Sequence, residues 1–311
     1  MKNRMTDLGL ITHHEYAGHR VPAGHPERPA RIITILQMLD ESFASLSRME
    51  AETGTLQQIE LIHTAGYAER IFAAEPVTGS FSLDADTHLG PGSVQAALLA
   101  VGGACQAVDA VLKGRCQRVF VASRPPGHHA EPETPMGFCL FSNAAIAAEY
   151  ARQSHGLERV AVLDFDVHHG NGTQAAFWAR PGLFYASSHE MPLFPGTGAV
   201  SETGQYGNIF NTPLTAGTDG AGLIAAWQQR LLPAIEAAAP ELIILSAGFD
   251  AHHADPLAGL MLEAADFGRL TLLIRDLAER VCAGRIVSIL EGGYDLAGLK
   301  ASCQSHLAAL E

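Results

Sequence analysis

A chain of 311 residues with 47% hydrophobic and 17% charged residues is long and apolar enough to bury a large core, which excludes a disordered protein. Its formal net charge of −13 argues against nucleic-acid binding, because phosphate contacts need a basic face. Five cysteines without a CxxC pair favour reduced thiols, and the absence of a signal-like N-terminal segment adds to the expectation of a cytoplasmic protein. No apolar run approaches the roughly 18 residues of a membrane span.

Six short apolar runs predict β-strands, at residues 8–12, 118–123, 159–166, 183–188, 241–250 and 285–294. Helical stretches separate most of them. One follows Ser93 as a candidate cap, one runs from a cap at Ser142 to Gly156, and one covers 263–284. Continuous apolar strands that alternate with helices are typical of a parallel sheet covered on both faces. The sequence therefore predicts an α/β fold.

The run VAVLDFDVHHGNGT (160–173) ends an apolar strand in two aspartates and two histidines. Side chains alternate along a strand, so an extended chain would point Asp164, Asp166 and His168 to one side. In LSAGFDAHHADP, Asp250 holds the corresponding position after another strand. Ligands of parallel sheets bind outside the carboxyl ends of strands, so Asp166, His168 and Asp250 are predicted to form a metal site. Three ligands leave a position open for water, as in catalytic zinc sites, although iron(II), cobalt or manganese also fit.

Two further clusters offer groups for acid–base chemistry. In SRPPGHHAEPETPMGFC (123–139), two prolines and a glycine shape a loop that presents His128 and His129 side by side. Imidazole titrates near neutral pH, so the pair are candidates for general base and general acid. In LEGGYD (290–295), Tyr294 offers a phenol O–H that would stabilise an oxyanion beside a metal.

Each cluster taken alone also has an ordinary structural interpretation. The DFDVHHG run fits a capped strand end followed by a turn, and Asp250 fits a helix cap or loop position. With 15 histidines in the chain, the pairs in THHEYAGH and AHHADP are expected to be surface residues. Cys139 is conceivable as a nucleophile but is better explained as a small packed residue. The joint occurrence of the clusters at strand ends is what favours chemistry.

In this order the motifs resemble those of the zinc-dependent histone deacetylase family, which includes bacterial deacetylase-like amidohydrolases and acetylpolyamine amidohydrolases. They span nearly the whole chain: HPERPARI (25–32), RPPGHHA (124–130), GFC (137–139), LDFDVHHGNGTQ (163–174), FPGTG (194–198), SAGFDAHHADPL (246–257) and EGGYD (291–295). The resemblance implies the three-layer arginase–deacetylase fold, with a central, mainly parallel eight-stranded sheet and helices on both faces. It also implies a single deacetylase-like catalytic domain over residues 1–311.

Carried over residue by residue, the resemblance implies roles for the clusters. The implied zinc ligands and catalytic groups are Asp166, His168 and Asp250, and His128, His129 and Tyr294. Asp164 would orient His128. Asn171 would partner His129, where the main nuclear deacetylases carry an aspartate. An amide lends no negative charge, so the two histidines should differ more in basicity, and which of them is the base stays open.

The resemblance also implies a narrow tunnel for an acyl-lysine side chain. The implied tunnel residues are Gly137, Phe138, Phe194 and Leu257. Polyamine-preferring relatives can carry an acidic residue at the position of Leu257. A leucine there disfavours strong selection of a polycationic substrate. Asp84 or Asp86 would hold the substrate backbone at the rim, and the sequence does not decide between them. Arg31 would line an internal cavity through which acetate leaves.

A potassium ion is implied as a second cofactor. Its implied ligands, partly through backbone carbonyls, are Asp164, Asp166, His168, Ser187 and Ser188.

The sequence therefore predicts a metal-dependent amide hydrolase that removes acetyl or other acyl groups from a lysine-like amine. A rival interpretation is an amidohydrolase of acetylpolyamines or other small acetylated amines. A non-catalytic acyl-lysine binder is less favoured, and a ureohydrolase such as arginase would need further carboxylates for two manganese ions. No nucleic-acid or membrane partner is expected, and oligomerisation stays open.

Overall fold

The computed structural model describes residues 6–311, in which strands alternate with helices along most of the chain. The strands are β1 (Thr6–Thr12), β2 (Ser47–Glu50), β3 (Phe81–Ser82), β4 (His88–Leu89), β5 (Cys116–Ala122), β6 (Val160–Asp164), β7 (Leu183–Glu190), β8 (Ile209–Leu214), β9 (Leu242–Ala247) and β10 (Ile286–Leu290). The α-helices are α1 (Pro29–Ser42), α2 (Leu56–Ile59), α3 (Ala65–Ala73), α4 (Ser93–Leu112), α5 (Asn143–His155), α6 (Asn171–Phe177), α7 (Gly220–Ala226), α8 (Leu232–Ala238), α9 (Ala264–Cys282) and α10 (Leu296–Leu310). A 3₁₀ turn covers His14–Gly18, and a π-helical turn covers Trp227–Leu231.

Eight strands form one sheet in the order β2-β1-β5-β10-β9-β6-β7-β8, and every neighbouring pair is parallel. β3 and β4 form a separate antiparallel pair. Every residue of β6, β9 and β10 is buried, as expected for apolar strands that are covered on both faces. The predicted α/β fold with an eight-stranded, parallel central sheet surrounded by helices is confirmed.

Two strands of this sheet are missing from the sequence prediction, and they are its two edges. β2 has the sequence SRME and is largely exposed. β8 lies between the predicted strands at 183–188 and 241–250, where the sequence analysis predicts no strand, and it contains Pro213. Edge strands pair on one side only, so they tolerate proline and polar residues and give a weak apolar signal.

Helix boundaries follow the prediction except at one start. α4 begins at Ser93 itself, and Gly92 is its N-cap in a left-handed conformation with φ of 90°. Ser142 is the N-cap of α5, although its side chain makes no capping hydrogen bond, and Gly156 ends that helix as predicted. α9 lies within the predicted range 263–284.

Helix α4 corrects the expectation that no apolar run reaches a spanning length. Of the helices in residues 6–311, it alone is long and apolar enough to cross a membrane by length and composition. Asp109 is its single charged residue. Within the fold it packs on α5 and β5, and 72% of its apolar window is buried there. The core helix of a globular fold meets the same test, so its composition is explained by this packing.

The sheet order gathers the predicted clusters at one place. β5, β10, β9 and β6 are consecutive neighbours and parallel, so their carboxyl ends form one continuous edge. The segments that follow them are 123–139, 291–295, 248–263 and 165–170, which carry the four polar clusters.

Candidate active site

Asp166, His168 and Asp250 come together at this edge, and all three are buried. The Nδ1 of His168 lies 3.2 Å from Asp166 Oδ1 and 3.1 Å from Asp250 Oδ2. One ligand atom of each residue lies within 4.8 Å of the others. β6 ends at Asp164, so Asp166 and His168 lie in the turn after the strand, not on its alternating face as predicted. In that turn the N–H of Asp166 donates to Asp164 Oδ1 at 3.1 Å, and the N–H of His168 donates to Asp166 Oδ1 at 2.9 Å.

The electrostatics of this cluster fit a bound divalent cation. Burial, followed by the charge of Asp166, raises the pKa of Asp250 to about 7. Burial also acts to raise the pKa of Asp166, but the charge of His128 and hydrogen bonds from His168 outweigh it and hold this pKa well below its ordinary value. Two buried carboxylates this close repel each other, and a cation among the three donors would offset that repulsion. Two carboxylates and one imidazole suit zinc and also admit iron(II) or cobalt.

His128 and His129 lie beside this cluster, with ring centroids 4.0 Å apart. His128 Nδ1 lies 3.0 Å from Asp164 Oδ2, and its Nε2 lies 3.8 Å from Asp166 Oδ1. His129 Nδ1 lies 2.8 Å from the side-chain oxygen of Asn171. An amide oxygen only accepts, so Nδ1 of His129 carries the proton, and in the neutral ring Nε2 can take one up.

The two histidines have opposite pKa shifts. Burial acts to lower the pKa of His128. The negative charges of Asp166 and of Asp164, which is hydrogen-bonded to His128, outweigh burial and raise this pKa well above the ordinary value. Burial lowers the pKa of His129, and the charges of His128 and His168 lower it further. These shifts favour the protonated form of His128 and the neutral form of His129.

Two buried residues that sequence reasoning did not select support the paired histidines, Glu291 directly and Tyr185 through Asp164. One carboxylate oxygen of Glu291 accepts the N–H groups of Gly127 at 2.6 Å and His128 at 3.2 Å. Tyr185 donates its O–H to Asp164 Oδ2 at 3.0 Å. Glu291 stands inside the EGGYD motif, which was a usable signal. Tyr185 lies within the buried strand β7, and no sequence signal distinguishes it from its neighbours.

Tyr294 reaches the cluster from the segment after β10. Its ring lies 5.6 Å from that of Phe138, and the guanidinium of Arg31 lies 4.9 Å from its centroid. Burial, followed by the charge of Asp250, raises the pKa of Tyr294 well above its ordinary value, so the phenol keeps its proton. Asp255, which sequence reasoning also missed, accepts the backbone N–H of Tyr294 at 2.7 Å.

Arg31 is buried in a network behind the tyrosine. It donates to the carbonyls of Glu291 at 2.5 Å and Gly293 at 2.6 Å, and to Glu27 Oε1 at 3.0 Å. Glu27 also pairs with Arg124 at 2.5 Å. Glu27 and Arg124 stand in the HPERPARI and RPPGHHA motifs but were not selected from the sequence. The network ties α1 to the tyrosine segment, and an acetate cavity at Arg31 stays a prediction.

A cavity of about 200 Å³ opens onto the cluster. It is lined by Asp86, His129, Gly137, Phe138, His168, Leu193, Phe194, Leu257 and Tyr294. All four predicted tunnel residues are in this set, and of the paired histidines it includes only His129. Gly137 has φ of +56°, and a Cβ there would collide with the His129 ring. A larger cavity of about 750 Å³, beside residues 15–22 and 77–80, holds none of the predicted site residues.

The two candidate rim aspartates have different surroundings. Asp86 lines the cavity. Asp84 Oδ1 instead accepts the N–H groups of Asp86 at 2.9 Å and Thr87 at 2.6 Å, and so holds the turn. Asp86 is therefore part of the cavity wall, whereas Asp84 is not.

The predicted potassium site has its residues close together, but its use stays a prediction. Ser187 stands opposite Asp164 in the register of β6 and β7. Its hydroxyl lies 2.9 Å from His189 Nδ1, and the hydroxyl of Ser188 accepts from Trp227 Nε1 at 2.9 Å. Both hydroxyls have protein partners, so a cation here would depend on backbone carbonyls.

The remaining candidates have structural roles or lie away from the cavity. Cys139 is fully buried, donates to the carbonyl of Gly137 at 3.3 Å, and has a pKa raised by burial, which fits a packed thiol. The pair at 13–14 and the pair at 252–253 each lie near a glutamate, away from the cavity. The surface prediction is wrong for His252, which is 9% exposed.

Known proteins resemble this chain over most of its length. The family described as "Histone deacetylase domain" matches residues 25–310. The chain belongs to the histone deacetylase family. This deacetylase is 42% identical over 278 residues to the histone deacetylase-like amidohydrolase of Pseudomonas aeruginosa, which covers 88% of this chain and 73% of that protein. It is 37% identical over 297 residues to the probable deacetylase of Archaeoglobus fulgidus, which covers 93% of this chain and 82% of that protein.

The crystal structure of the HDA15 HD domain superposes on this deacetylase with a TM-score of 0.92 at 34% identity. The match covers 98% of this chain and 88% of that one. Family and fold together make the protein a hydrolytic deacetylase of a metal-dependent family that acts on acetylated amines. The alternatives of a non-catalytic binder and a ureohydrolase are not favoured by any of these relatives.

Proposed function

We propose that this deacetylase uses a divalent ion, zinc by donor chemistry, to hydrolyse the amide of an N-acetylated lysine-like amine. The observation that carries the proposal is the cavity: its largely apolar lining reaches His168 of the buried carboxylate–imidazole cluster and also includes His129 and Tyr294. An extended acyl-alkyl chain fits such walls, and its amide would then meet the polar end.

Asp166, His168 and Asp250 would hold the ion. When bound, it would polarise the substrate carbonyl and lower the pKa of the attacking water. A potassium ion beside Asp164 and Ser187 is part of the proposal, with the charge of Asp164 as its main attraction.

His129 is proposed as the proton-transfer group. It lines the cavity, is neutral, and has Nε2 available to accept the proton of the attacking water. The same nitrogen would return that proton to the leaving amine as the C–N bond breaks. His128, hydrogen-bonded to Asp164, is proposed as the protonated partner behind it and would stabilise the negative charge that builds on the substrate carbonyl oxygen.

Tyr294 would donate its O–H to the substrate carbonyl oxygen as that oxygen becomes negative. Its raised pKa keeps the proton in place for this hydrogen bond. Arg31, next to the tyrosine ring, would attract the acetate product.

The lining favours a lysine-like amine over a polyamine. Leu257 contributes no negative charge to the cavity wall. Among the described residues that line the cavity, Asp86 supplies the carboxylate. Asp86 would accept a backbone N–H of a peptide substrate. A small acetylated amine with a second ammonium group would use the same carboxylate, so this rival is decided by experiment.

The test compares kcat/KM of zinc-loaded protein on an acetyl-lysine peptide with that on acetylputrescine and acetylspermidine. We expect the peptide to be preferred at least tenfold. Tyr294→Phe should lower kcat about 100-fold with zinc content unchanged, since loss of one oxyanion donor has effects of this size. Preference for the small amines would make the polyamine interpretation correct. Zinc-loaded protein that hydrolyses none of the three substrates would contradict the proposal.

A further inference from the structure

Asp255 is a buried carboxylate with an unusual set of partners. It is 6% exposed, and in residues 6–311 it forms no ion pair with a lysine, arginine or histidine. Its Oδ2 accepts the N–H groups of Tyr294 at 2.7 Å and Asp295 at 3.3 Å. Its Oδ1 accepts the N–H of Leu257 at 3.0 Å. Three backbone donors therefore offset the cost of burying this charge.

These hydrogen bonds join two segments of the site. Asp255 and Leu257 belong to the segment after β9, which also carries Asp250, whereas Tyr294 belongs to the segment after β10. Gly293, just before the tyrosine, has φ of +118°, where L side chains rarely lie. The backbone entering Tyr294 is therefore free to adopt other conformations unless something holds it.

The phenol of Tyr294 depends on that backbone. Within residues 6–311 its O–H makes no hydrogen bond, and its ring contacts are the edge of Phe138 and the guanidinium of Arg31. The carboxylate of Asp255 holds the N–H side of the Gly293–Tyr294 peptide, from which the phenol projects, and Arg31 holds the carbonyl side of the same peptide. Asp255 itself is not part of the cavity lining.

We propose that Asp255 is a positioning residue for deacetylation, which clamps the backbone at Tyr294 so that the phenol O–H stays at the end of the cavity. The proposal rests on the proposed role of Tyr294 as donor to the substrate carbonyl. Asp255 does not line the cavity, and its effect on kcat is assigned to the tyrosine. Its hydrogen bond to the N–H of Leu257 holds the cavity wall and would act on substrate binding instead.

Asp255→Asn tests the clamp, because the amide keeps the shape but loses the charge and one acceptor oxygen. We expect kcat to fall at least tenfold, because the charged acceptor of the Tyr294 N–H is replaced by a weaker neutral one. KM for the acetyl-lysine peptide and zinc content should stay within twofold of wild type. Thermal unfolding checks that the variant is folded.

A double-mutant cycle separates positioning from general damage. In a Tyr294→Phe background the phenol is gone, so adding Asp255→Asn should lower kcat less than twofold further. A further tenfold loss there would overturn the proposal, because Asp255 would then act by another route. A Tyr294→Phe variant with wild-type kcat would instead refute the proposed role of the tyrosine, and that single variant identifies this failure.

Asp219→Asn is the matched control. Asp219 also accepts a backbone N–H, that of Gly222 at 2.9 Å, but it caps α7 on the outside of the fold. The kcat of the Asp219→Asn variant should equal that of wild type. An equal loss of kcat in both variants would overturn the assignment to Asp255.

Discussion

A single glycine of the cavity lining leaves room for the ring of the proposed proton-transfer histidine. Gly137 has a left-handed φ, which costs other residues roughly 1–2 kcal/mol, and a Cβ there would collide with the ring of His129. Gly137→Ala should therefore displace His129 and lower kcat/KM about 100-fold, because misplacement of a reacting group by 1 Å has effects of this size. The acetyl-lysine peptide assay measures the loss, and thermal unfolding reports the strain.

Gly196→Ala provides the control for backbone strain. Gly196 has φ of +84°, but a Cβ there would meet nothing within 4 Å. This variant should lose thermal stability and keep kcat/KM within severalfold of wild type. If the two variants lose activity equally, strain in the loops explains both, and the collision with His129 is not the cause.

At the scale of single residues, sequence reasoning found side chains with distinctive chemistry and missed those that hold them. Asp166 and Asp250 follow strands and fall in motifs, so they could be selected. Glu291 and Asp255 act by accepting backbone N–H groups, which any loop carboxylate can do. Their partners are far away in sequence: Gly127 is 164 positions from Glu291. Such contacts are visible only once the sheet order brings the segments together.

The segment 193–202 forms one side of the cavity and is organised by one carboxylate. Glu202 accepts the N–H groups of Gly198 at 3.0 Å and Ala199 at 3.1 Å, and the amide of Gln174 at 2.6 Å. Glu202→Gln removes the charge and one acceptor, so the wall at Phe194 should become less ordered. We expect KM for the acetyl-lysine peptide to rise about tenfold with a smaller change in kcat. Loss of one such hydrogen bond weakens substrate binding by about 1.4 kcal/mol, which corresponds to this factor. Steady-state kinetics measure both constants.

Glu241→Gln is the matched control for this segment. Glu241 also accepts two successive backbone N–H groups, those of Glu158 at 2.8 Å and Arg159 at 2.9 Å, but it precedes β9 at the edge opposite the site. Its loss should lower thermal stability without raising KM. An equal rise of KM in both variants would mean that global loosening, not the cavity wall, is responsible.

At the scale of elements, the predictable part of the fold is the part that is buried on two sides. β6, β9 and β10 give continuous apolar runs because helices cover both faces, and the parallel sheet follows from their alternation with helices. The edges β2 and β8 lack that signal. The site followed from the same rule, because its residues come at the carboxyl ends of strands that the apolar pattern already marked.

Across the whole molecule, several histidines outside the cluster of Asp166, His168 and Asp250 are buried and neutral. Burial lowers the pKa of His19 and His306 to about 3 and that of His63 to about 4. In the unfolded chain these groups titrate near 6.5. Between about pH 6.5 and pH 3 the unfolded state therefore binds more protons than the folded state. The contribution of these histidines to the free energy of unfolding should be at its full value above pH 6.5 and should fall as the pH drops through this window.

His306 is the clearest test of this linkage. Its Nδ1 lies 2.6 Å from Thr271 Oγ1 and its Nε2 lies 2.8 Å from Ser288 Oγ, so both ring nitrogens have hydroxyl partners in the core. His306→Gln removes one group that takes up a proton on unfolding. The difference in unfolding free energy between pH 7 and pH 5 should shrink by about 2 kcal/mol, because one proton contributes about 1.4 kcal/mol per pH unit below 6.5. Urea denaturation of metal-free protein at the two pH values measures it.

The comparison is made within each variant, so packing lost by the glutamine lowers stability at both pH values and cancels. Metal-free protein removes any contribution from metal release at low pH. His14→Gln changes an exposed histidine and should keep the wild-type pH dependence. If His306→Gln also keeps the full wild-type difference, His306 takes up no extra proton on unfolding. The acid sensitivity would then have to come from other buried groups, such as His19 and His63.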